Sequence, residues 1–277
     1  MTAIVSMPFF QWAVAASLVM AGIHAYLGFH IVRRGVLFVD LALAQMAALG
    51  VALAIALGHD HEGPAAYRMA LGMTFVGAAL FAWLRGRARR APLEAFIGIV
   101  FATAQALVFL VLERTPSGPE HLKETLVGSL YTVDPLHVAF VAGLYAVVGL
   151  VHWLLRRPFF EITHDPDGAR ERGRRVFVWD FLFYATFGVV VTSSVQIAGV
   201  LLVFGLLVVP AVAGQLAAQR TAPALVVGWV FGFVASVLGL LASVSLDLPA
   251  APSILVTLAV LLALHAGALS WWRRRAA

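Results

Sequence analysis

Apolar residues fill this chain in runs of about twenty, and short segments between the runs hold most of its charge. A helix that crosses a membrane needs about 20 predominantly apolar residues, because each residue advances it about 1.5 Å through a hydrocarbon core of about 30 Å. By this length the pattern predicts nine candidate helices: Pro8–Val32, Val36–Leu57, Pro64–Leu84, Pro92–Leu112, Leu136–Leu155, Trp179–Ile197, Gly199–Ala218, Pro223–Val244 and Ser253–Trp272.

The sixth and seventh candidates come from one apolar run, Phe177–Ala218, that is too long for a single crossing. Its middle holds four polar residues: Thr192, Ser193, Ser194 and Gln196. We therefore predict a helix break near Thr192–Gly199, which gives two tilted helices or one crossing plus a re-entrant segment. Such breaks line cavities or lie buried in protein, and the alternative is a tight turn at the outer surface. The predicted fold is all-α, a polytopic membrane bundle of about eight or nine transmembrane helices.

Composition supports a membrane protein without a soluble domain. Hydrophobic residues make up 62% of the 277, only 12% are charged, and the mean hydropathy is +0.94. Soluble chains have about 25% charged residues. The chain has no Cys, which excludes disulfides and thiolate metal sites. Its net charge of +5 is dispersed in short clusters between the apolar runs, a pattern that indicates membrane topology and not nucleic-acid binding.

The positions of the basic residues predict the orientation. With nine crossings, sixteen of the 19 Lys and Arg fall on one side, which the positive-inside rule makes cytoplasmic. These are Arg33, Arg34, Arg85, Arg87, Arg89, Arg90, Arg156, Arg157, Arg170, Arg172, Arg174, Arg175, Arg220, Arg273, Arg274 and Arg275. The other side has Arg68, Arg114 and Lys123. We therefore expect a cytoplasmic C-terminus, an external N-terminus, and external loops at His59–Gly63, Glu113–Pro135 and Ser245–Pro252.

The first two candidate helices contain polar residues that a membrane disfavours. His24 and His30 lie in the first helix, and Asp40 and Gln45 in the second. An ionisable group at the centre of a membrane helix costs about 2.5–3.5 kcal/mol on insertion scales and usually faces a bundle interior or a water path. These two helices are therefore the leading candidates for a polar route. The alternatives are hydrogen-bonded packing roles for the two histidines and a near-surface ion pair of Asp40 with Arg33 or Arg34.

Two loops could bind a ligand or a partner. The first has His59, Asp60, His61 and Glu62 in succession, groups that suit divalent zinc or manganese. Four adjacent groups cannot easily close on one ion, so the alternatives are a weak external capture point and a plain exposed loop.

The second loop is 156–175, in which Asp165 can cap a short helix, Pro166 fits its first turn and Gly173 can end it. That helix could press into a groove of a partner on the cytoplasmic face. The alternative is a solvated basic loop.

The sequence lacks the motifs of several enzyme classes. The single lysine, Lys123, is in a loop predicted to be external, and no Gly-rich turn ends in Lys followed by Ser or Thr. If ATP drives this protein, another chain hydrolyses it. There is also no His-Glu-x-x-His sequence and no nucleophile elbow. We expect a transport subunit and not an enzyme, with no cofactor bound by this chain.

Over most of its length the sequence resembles the permease subunit of the zinc/manganese ABC importers. The matching segments are HIVRRGVLFVDLALAQMAALGVALA (His30–Ala54), LEAFIGIVFA (Leu93–Ala102), LVGSLYTVDP (Leu126–Pro135), DPDGARERG (Asp165–Gly173), VQIAGVLLVFGLLVVPAVAGQLAA (Val195–Ala218) and SLDLPAAPSILV (Ser245–Val256).

The resemblance implies one permease domain over residues 1–277 in the cell (inner) membrane, paired as a homodimer. It implies cytoplasmic ATPase subunits that bind ATP and an extracytoplasmic metal-binding protein. It also implies that Asp165–Gly173 is the coupling helix, with Ala169 and Gly173 at the family's small positions.

One departure concerns the ion path. Members of that family usually have Gly-Asp-Ala-Leu-Ser-His in the second helix, and this chain has Asp40-Leu41-Ala42-Leu43-Ala44-Gln45. Asp40 therefore lies one residue early, about 100° round the helix. Either Asp40 rebuilds a site with Gln45 and His24 or His30, or this branch moves a different substrate. A permease for a metal chelate such as a siderophore, haem or cobalamin, and an ATPase-independent ion transporter, remain alternatives.

Overall fold

The computed structural model describes residues 6–61, 63–87, 92–113, 128 and 130–276. This part of the chain folds into α-helices with no strand. The helices are α1 (Pro8–Arg34), α2 (Val39–Ala56), α3 (Pro64–Arg85), α4 (Leu93–Leu112), α5 (Pro135–Leu154), α6 (Arg156–His164), α7 (Pro166–Glu171), α8 (Val176–Ala217), α9 (Thr221–Leu246) and α10 (Ala250–Ala276), with a 3₁₀ turn at Leu130–Thr132. Glu62, Arg89, Arg90, Arg114, Lys123 and most of the loop predicted at Glu113–Pro135 lie outside the described residues.

Eight of these helices, all except α6 and α7, are long and apolar enough to cross a membrane. The predicted all-α membrane bundle is therefore confirmed. The observed ends lie within about three residues of the predicted ones, except for α10, which continues to Ala276. Helix α2 begins at Val39, three residues after the predicted Val36, since Gly35 has φ 65° and turns the chain after α1. The prediction missed α6, whose sequence RRPFFEITH is too short and too polar to match a membrane span.

Helix α8 shows how 42 residues accommodate a polar middle. The Ser193 and Ser194 hydroxyls donate to backbone carbonyls of the preceding turn. Their Oγ atoms lie 3.0 and 2.8 Å from the carbonyl oxygen of Val190. Because these hydroxyls are satisfied within the helix, the polar residues themselves do not break it. The helix is interrupted instead at Gly199, whose φ of 72° and ψ of 160° lie in a region of backbone space that is essentially restricted to glycine. The break predicted near Thr192–Gly199 is thus confirmed at its C-terminal end.

The chain divides into two compact units. The first comprises Met1–Val32, Val127–Ala146 and Gln196–Ala277. Within it, the Trp229 indole of α9 donates to the carbonyl oxygen of Gly22 in α1 at 2.8 Å. Helices α9 and α10 form a hairpin whose corner is Asp247, in the left-handed conformation with φ 52°. Tyr131 donates its hydroxyl to Ser243 Oγ at 2.8 Å, which attaches the 3₁₀ turn to the end of α9.

The second unit comprises Arg33–Leu126 and Val147–Val195. Its centre is α2, which packs on α3 and α4. Gly50 of α2 lies directly against the backbone of Met69 and Ala70 in α3, the close approach that small residues permit between membrane helices. Leu49 and Ala52 pack with Val108 and Leu112 of α4. Thr74 of α3 and Thr192 of α8 share a hydrogen bond of 3.0 Å between their hydroxyl oxygens.

Candidate functional site

All four polar residues predicted to line a route are buried. The exposed fraction is 0% for His24 and His30, 1% for Asp40 and 4% for Gln45. The two histidines belong to the first unit, and Asp40 and Gln45 belong to the second. Among the described residues, no three His, Cys, Asp or Glu side chains come close enough together to hold a metal ion. The structure therefore shows buried polar groups on α1 and α2, and not a preformed cage.

His24 has a defined tautomer. Its Nδ1 lies 2.8 Å from the carbonyl oxygen of Met20, and only a protonated Nδ1 can form that bond. In the neutral ring this leaves a lone pair on Nε2, which has no hydrogen-bond partner within the described part of the chain. Neutral imidazole with a free ring nitrogen is the form that binds metal ions. The ring of Tyr145 meets His24 edge to face, with 6.4 Å between the centroids.

His30 lies in an aromatic environment. Its ring centroid is 5.0 Å from that of Tyr26 and 5.9 Å from that of Phe29, both at steep angles. These contacts fix the ring in α1 by packing. They are the kind of contact expected from the packing alternative for this histidine.

Asp40 is the second residue of α2, closer to the helix start than the sequence indicated. One of its carboxylate oxygens, Oδ1, is buried and has no hydrogen-bond partner among the described residues. Leu41, at the position of the family's usual aspartate, is only partly buried. The early position of the carboxylate therefore places it on the buried face of α2.

Arg34, which was considered as an ion-pair partner of Asp40, pairs with another carboxylate in the structure. Arg34 binds Asp180 of α8, at 2.8 Å between Nη1 and Oδ1, and does not pair with Asp40. Of the two arginines considered as alternative partners of Asp40, Arg34 is excluded, because a carboxylate 146 residues away in sequence occupies its guanidinium.

The proposed capture loop is exposed. His59 and Asp60 face solvent, and His61 Nδ1 lies 3.2 Å from Asp60 Oδ1. Glu62 lies outside the described residues. These three described residues do not form a metal site.

The short helix predicted in the basic loop is α7. The Asp165 carboxylate accepts a hydrogen bond from Gly168 N at 2.9 Å, Pro166 occupies the first turn, and Gly173 has φ 82° just beyond the end. All three features are as predicted from helix-capping rules. Asp165 and Gly173 are exposed. Ala169 is fully buried and packs inside the chain against Ile162 of α6 and Val176 of α8.

A network of ion pairs stiffens the turn between α6 and α7. Glu161 accepts from Arg172 Nε at 2.8 Å and from Arg174 Nε at 3.2 Å. The hydrogen bond from Arg172, with a smaller effect from Arg174, holds the pKa of Glu161 below its ordinary value. A carboxyl with a lowered pKa stabilises the folded loop above its unfolded pKa and loses that effect as the pH falls through the folded value. The network is therefore complete at neutral pH and breaks only in acid.

We predict that Glu161→Gln loosens this turn at neutral pH. The amide cannot pair with two guanidinium groups, so backbone amides of 166–174 should exchange with deuterium about two- to fivefold faster, the scale expected for exposed ion pairs. Mass spectrometry of the protein in nanodiscs measures this rate. Asp167→Asn is the matched control, because within the described part of the chain the Asp167 carboxylate pairs with Arg170, one turn away on α7, and not with α6. Equal exchange in the Glu161 variant and the unaltered protein would contradict the stiffening role.

A buried cluster of charged residues was not predicted from the sequence. Asp180 Oδ1 accepts from Arg34 Nη1 at 2.8 Å and from Arg85 Nη1 at 2.7 Å. The available signal was Asp180 itself, a carboxylate within an apolar run, which by the reasoning applied to Asp40 marks a functional position. Nothing in the sequence indicates its partners, which are 146 and 95 residues away.

Eight apolar helices with buried polar residues define an integral membrane protein. A manganese transport system membrane protein of Halalkalibacterium halodurans is 25% identical over 261 residues, which cover 94% of this chain and 87% of that protein. A chelated iron transport system membrane protein of Yersinia pestis is 25% identical over 252 residues, with 90% and 82% covered.

A solved structure shows the same fold. A chain of PsaBC from Streptococcus pneumoniae, in complex with a Fab, superposes with a TM-score of 0.79 at 23% identity, covering 94% of this chain and 91% of that one. Residues 6–268 match the ABC 3 transport family, and the chain belongs to this family. It is a multi-pass membrane transport subunit and not an enzyme. The family membership inferred from the sequence motifs is therefore confirmed.

Proposed function

We propose that this chain is the membrane permease of an ATP-driven importer for a divalent metal ion: manganese, zinc or iron. The observation that supports this most directly is the family match over residues 6–268 together with relatives named for manganese and chelated iron transport. A buried carboxylate on α2 and a buried imidazole on α1 fit a cation as substrate, because these are ligands of borderline divalent metals.

The energy source is a partner. The sequence has no phosphate-binding loop, so cytoplasmic ATPase subunits would bind and hydrolyse ATP. Exposed Asp165 and Gly173 flank α7 and would face that ATPase, whereas buried Ala169 would hold α7 against α6 and α8. We further propose a homodimer in the cell (inner) membrane with its C-terminus in the cytoplasm, supplied by an extracytoplasmic metal-binding protein.

The substrate path would use transient contacts. We assign Asp40, Gln45, His24 and His30 as contacts of the transported ion. Sites that bind weakly allow an ion to leave as readily as it enters, which fast transport requires. When the ATPases close on ATP, displacement of α7 would shift the membrane helices and expose the route to each side in turn. His59, Asp60 and His61 would at most offer weak capture outside.

Deleting the gene and measuring cell metal content tests this function. We expect cellular manganese, zinc or iron to fall in metal-poor medium and to recover when the gene is restored on a plasmid. Elemental analysis by mass spectrometry measures all three metals at once. Unchanged content of every metal under limiting supply would contradict the proposal.

A metal chelate is the second candidate substrate, favoured by the chelated iron relative from Yersinia pestis. Uptake assays separate the two. Free labelled metal ions should enter cells in a gene-dependent manner if the ion is the substrate. Gene-dependent entry of iron only when it is supplied as a siderophore or haem complex would favour the chelate.

A further inference from the structure

The buried cluster of Arg34, Arg85 and Asp180 connects the ends of three helices. Arg34 is the last residue of α1, Arg85 is the last residue of α3, and Asp180 lies in the second turn of α8. The exposed fractions of the side chains are 0% for Arg34, 14% for Arg85 and 1% for Asp180. A single carboxylate oxygen thus fixes the ends of α1 and α3 to the beginning of α8.

The charge balance of the cluster is unfavourable for a purely structural role. Two guanidinium groups face one carboxylate, so one positive charge is left over in a buried place. Buried ion pairs contribute little net stability even when they are balanced, because both partners lose their hydration. The guanidinium of Arg34 also stacks on the ring of Phe183, with 3.9 Å from Cζ to the centroid, which offsets part of the cost.

The hydrogen bonding of the cluster is incomplete. Asp180 Oδ2 and Arg34 Nη2 are buried and have no hydrogen-bond partner among the described residues. Both arginines use the same oxygen, Oδ1, and leave the other unused. A network built for stability alone would satisfy these atoms. Because Asp180 Oδ2 and Arg34 Nη2 are available, the arginines and the aspartate can form a different set of hydrogen bonds when the end of α1 or α3 shifts.

The cluster is attached directly to the helix that precedes α7. Arg34 Nε donates to Thr163 Oγ1 of α6 at 3.0 Å, and Thr163 is two residues before the capping residue Asp165. Helices α6 and α7 are linked by Glu161 with Arg172 and Arg174, and by Ala169 packed on Ile162 and Val176. These contacts connect α7 to Thr163 and to Val176, the first residue of α8, and Asp180 is one turn beyond Val176.

We propose that Asp180, bound by Arg34 and Arg85, is the positioning residue that transmits movement of α7 to the membrane helices. This inference rests on the proposed function, in which an ATPase acts on α7. In this role Asp180 does not touch ATP or the transported ion. Its loss should uncouple transport from ATP hydrolysis without removing either partner.

The test uses the permease–ATPase complex reconstituted in proteoliposomes, with manganese, zinc or iron as the probe ion, whichever the unaltered complex transports. Three quantities are measured: ATPase co-purification, the rate of ATP hydrolysis, and metal transported per ATP. For Asp180→Asn we expect normal co-purification, hydrolysis within about twofold of the unaltered complex, and at least about tenfold less metal per ATP. Asp247→Asn, which removes an exposed carboxylate at the corner between α9 and α10, should leave the ratio unchanged, because asparagine tolerates the left-handed backbone there.

A second variant guards against misfolding. Asp180→Asn leaves two uncompensated buried charges, whereas Asp180→Asn combined with Arg85→Gln restores the original net charge without the shared ion pair. It should insert normally and remain uncoupled. Unchanged metal per ATP in this double variant would overturn the inference, as would loss of ATPase binding. An unaltered complex that transports no metal with ATP would instead contradict the proposed function.

Discussion

Asp40→Ala is expected to reduce metal uptake at least about tenfold, which corresponds to about 1.4 kcal/mol of lost interaction with the ion. Asp40 is 1% exposed, and its Oδ1 has no hydrogen-bond partner among the described residues. An unpartnered buried carboxylate oxygen is costly to keep in a membrane helix, so a role in transport accounts for it better than packing does. Uptake of labelled manganese, zinc and iron in cells measures the effect.

The controls separate charge from folding. Asp40→Asn keeps the shape of the side chain but removes its charge. Metal uptake should fall in this variant as much as in Asp40→Ala. Asp60→Ala removes a carboxylate whose side chain is 72% exposed and should leave uptake within about twofold, because exposed charges contribute little. Amounts of folded protein are compared by fluorescence-detected gel filtration. Normal uptake by Asp40→Ala would place the ion path elsewhere, for instance beside Thr192 and Thr74.

The second large effect is expected at the end of the coupling helix. Gly173→Trp should reduce co-purification of the ATPase to background while membrane insertion stays normal. Gly173 is exposed, has open space around the position of a side chain, and would face the ATPase next to α7. An indole there would occupy the volume that a docked partner needs. Pull-down of the ATPase through a tag on the permease measures the loss.

Backbone strain must be distinguished from bulk at this position. Gly173 has φ 82°, a conformation that tryptophan adopts only at a cost of about 1–2 kcal/mol. Gly173→Asn is the matched control, because asparagine tolerates the left-handed region and has a small side chain. It should retain most of the co-purification. Normal recovery of the ATPase with the tryptophan variant would refute the assignment of α7 as the coupling helix that binds the ATPase.

Local physics explains why much of the fold was predictable. The ends of α3 and α4 follow from proline at or beside the first helical residue and from the length that a membrane requires. The α7 helix follows from the Asp165 cap, Pro166 and Gly173 in the right order. Each of these features depends on residues within one or two turns of each other. The family resemblance rested on the same local motifs and was confirmed by the match over residues 6–268.

The position of the break in α8 was predicted from nearby residues only to within a region, Thr192–Gly199. Polar residues at 192–196 suggested the interruption, yet Ser193 and Ser194 bond to their own helix and leave it intact. The interruption is at Gly199, where only glycine tolerates the backbone. Composition identified the region, and backbone stereochemistry determined the residue.

By itself the sequence determined a helical membrane protein, the approximate ends of its spans, the capped α7 and the family, because hydrophobic length and capping act over a few residues. The tertiary structure alone decided which charges meet. Asp180 binds Arg34 and Arg85 across 146 and 95 residues, so the Arg34 guanidinium that lies near Asp40 in sequence is occupied by a distant carboxylate. Ion pairs are chosen by distance in space, and in a helix bundle that distance is set by packing between elements far apart in the chain.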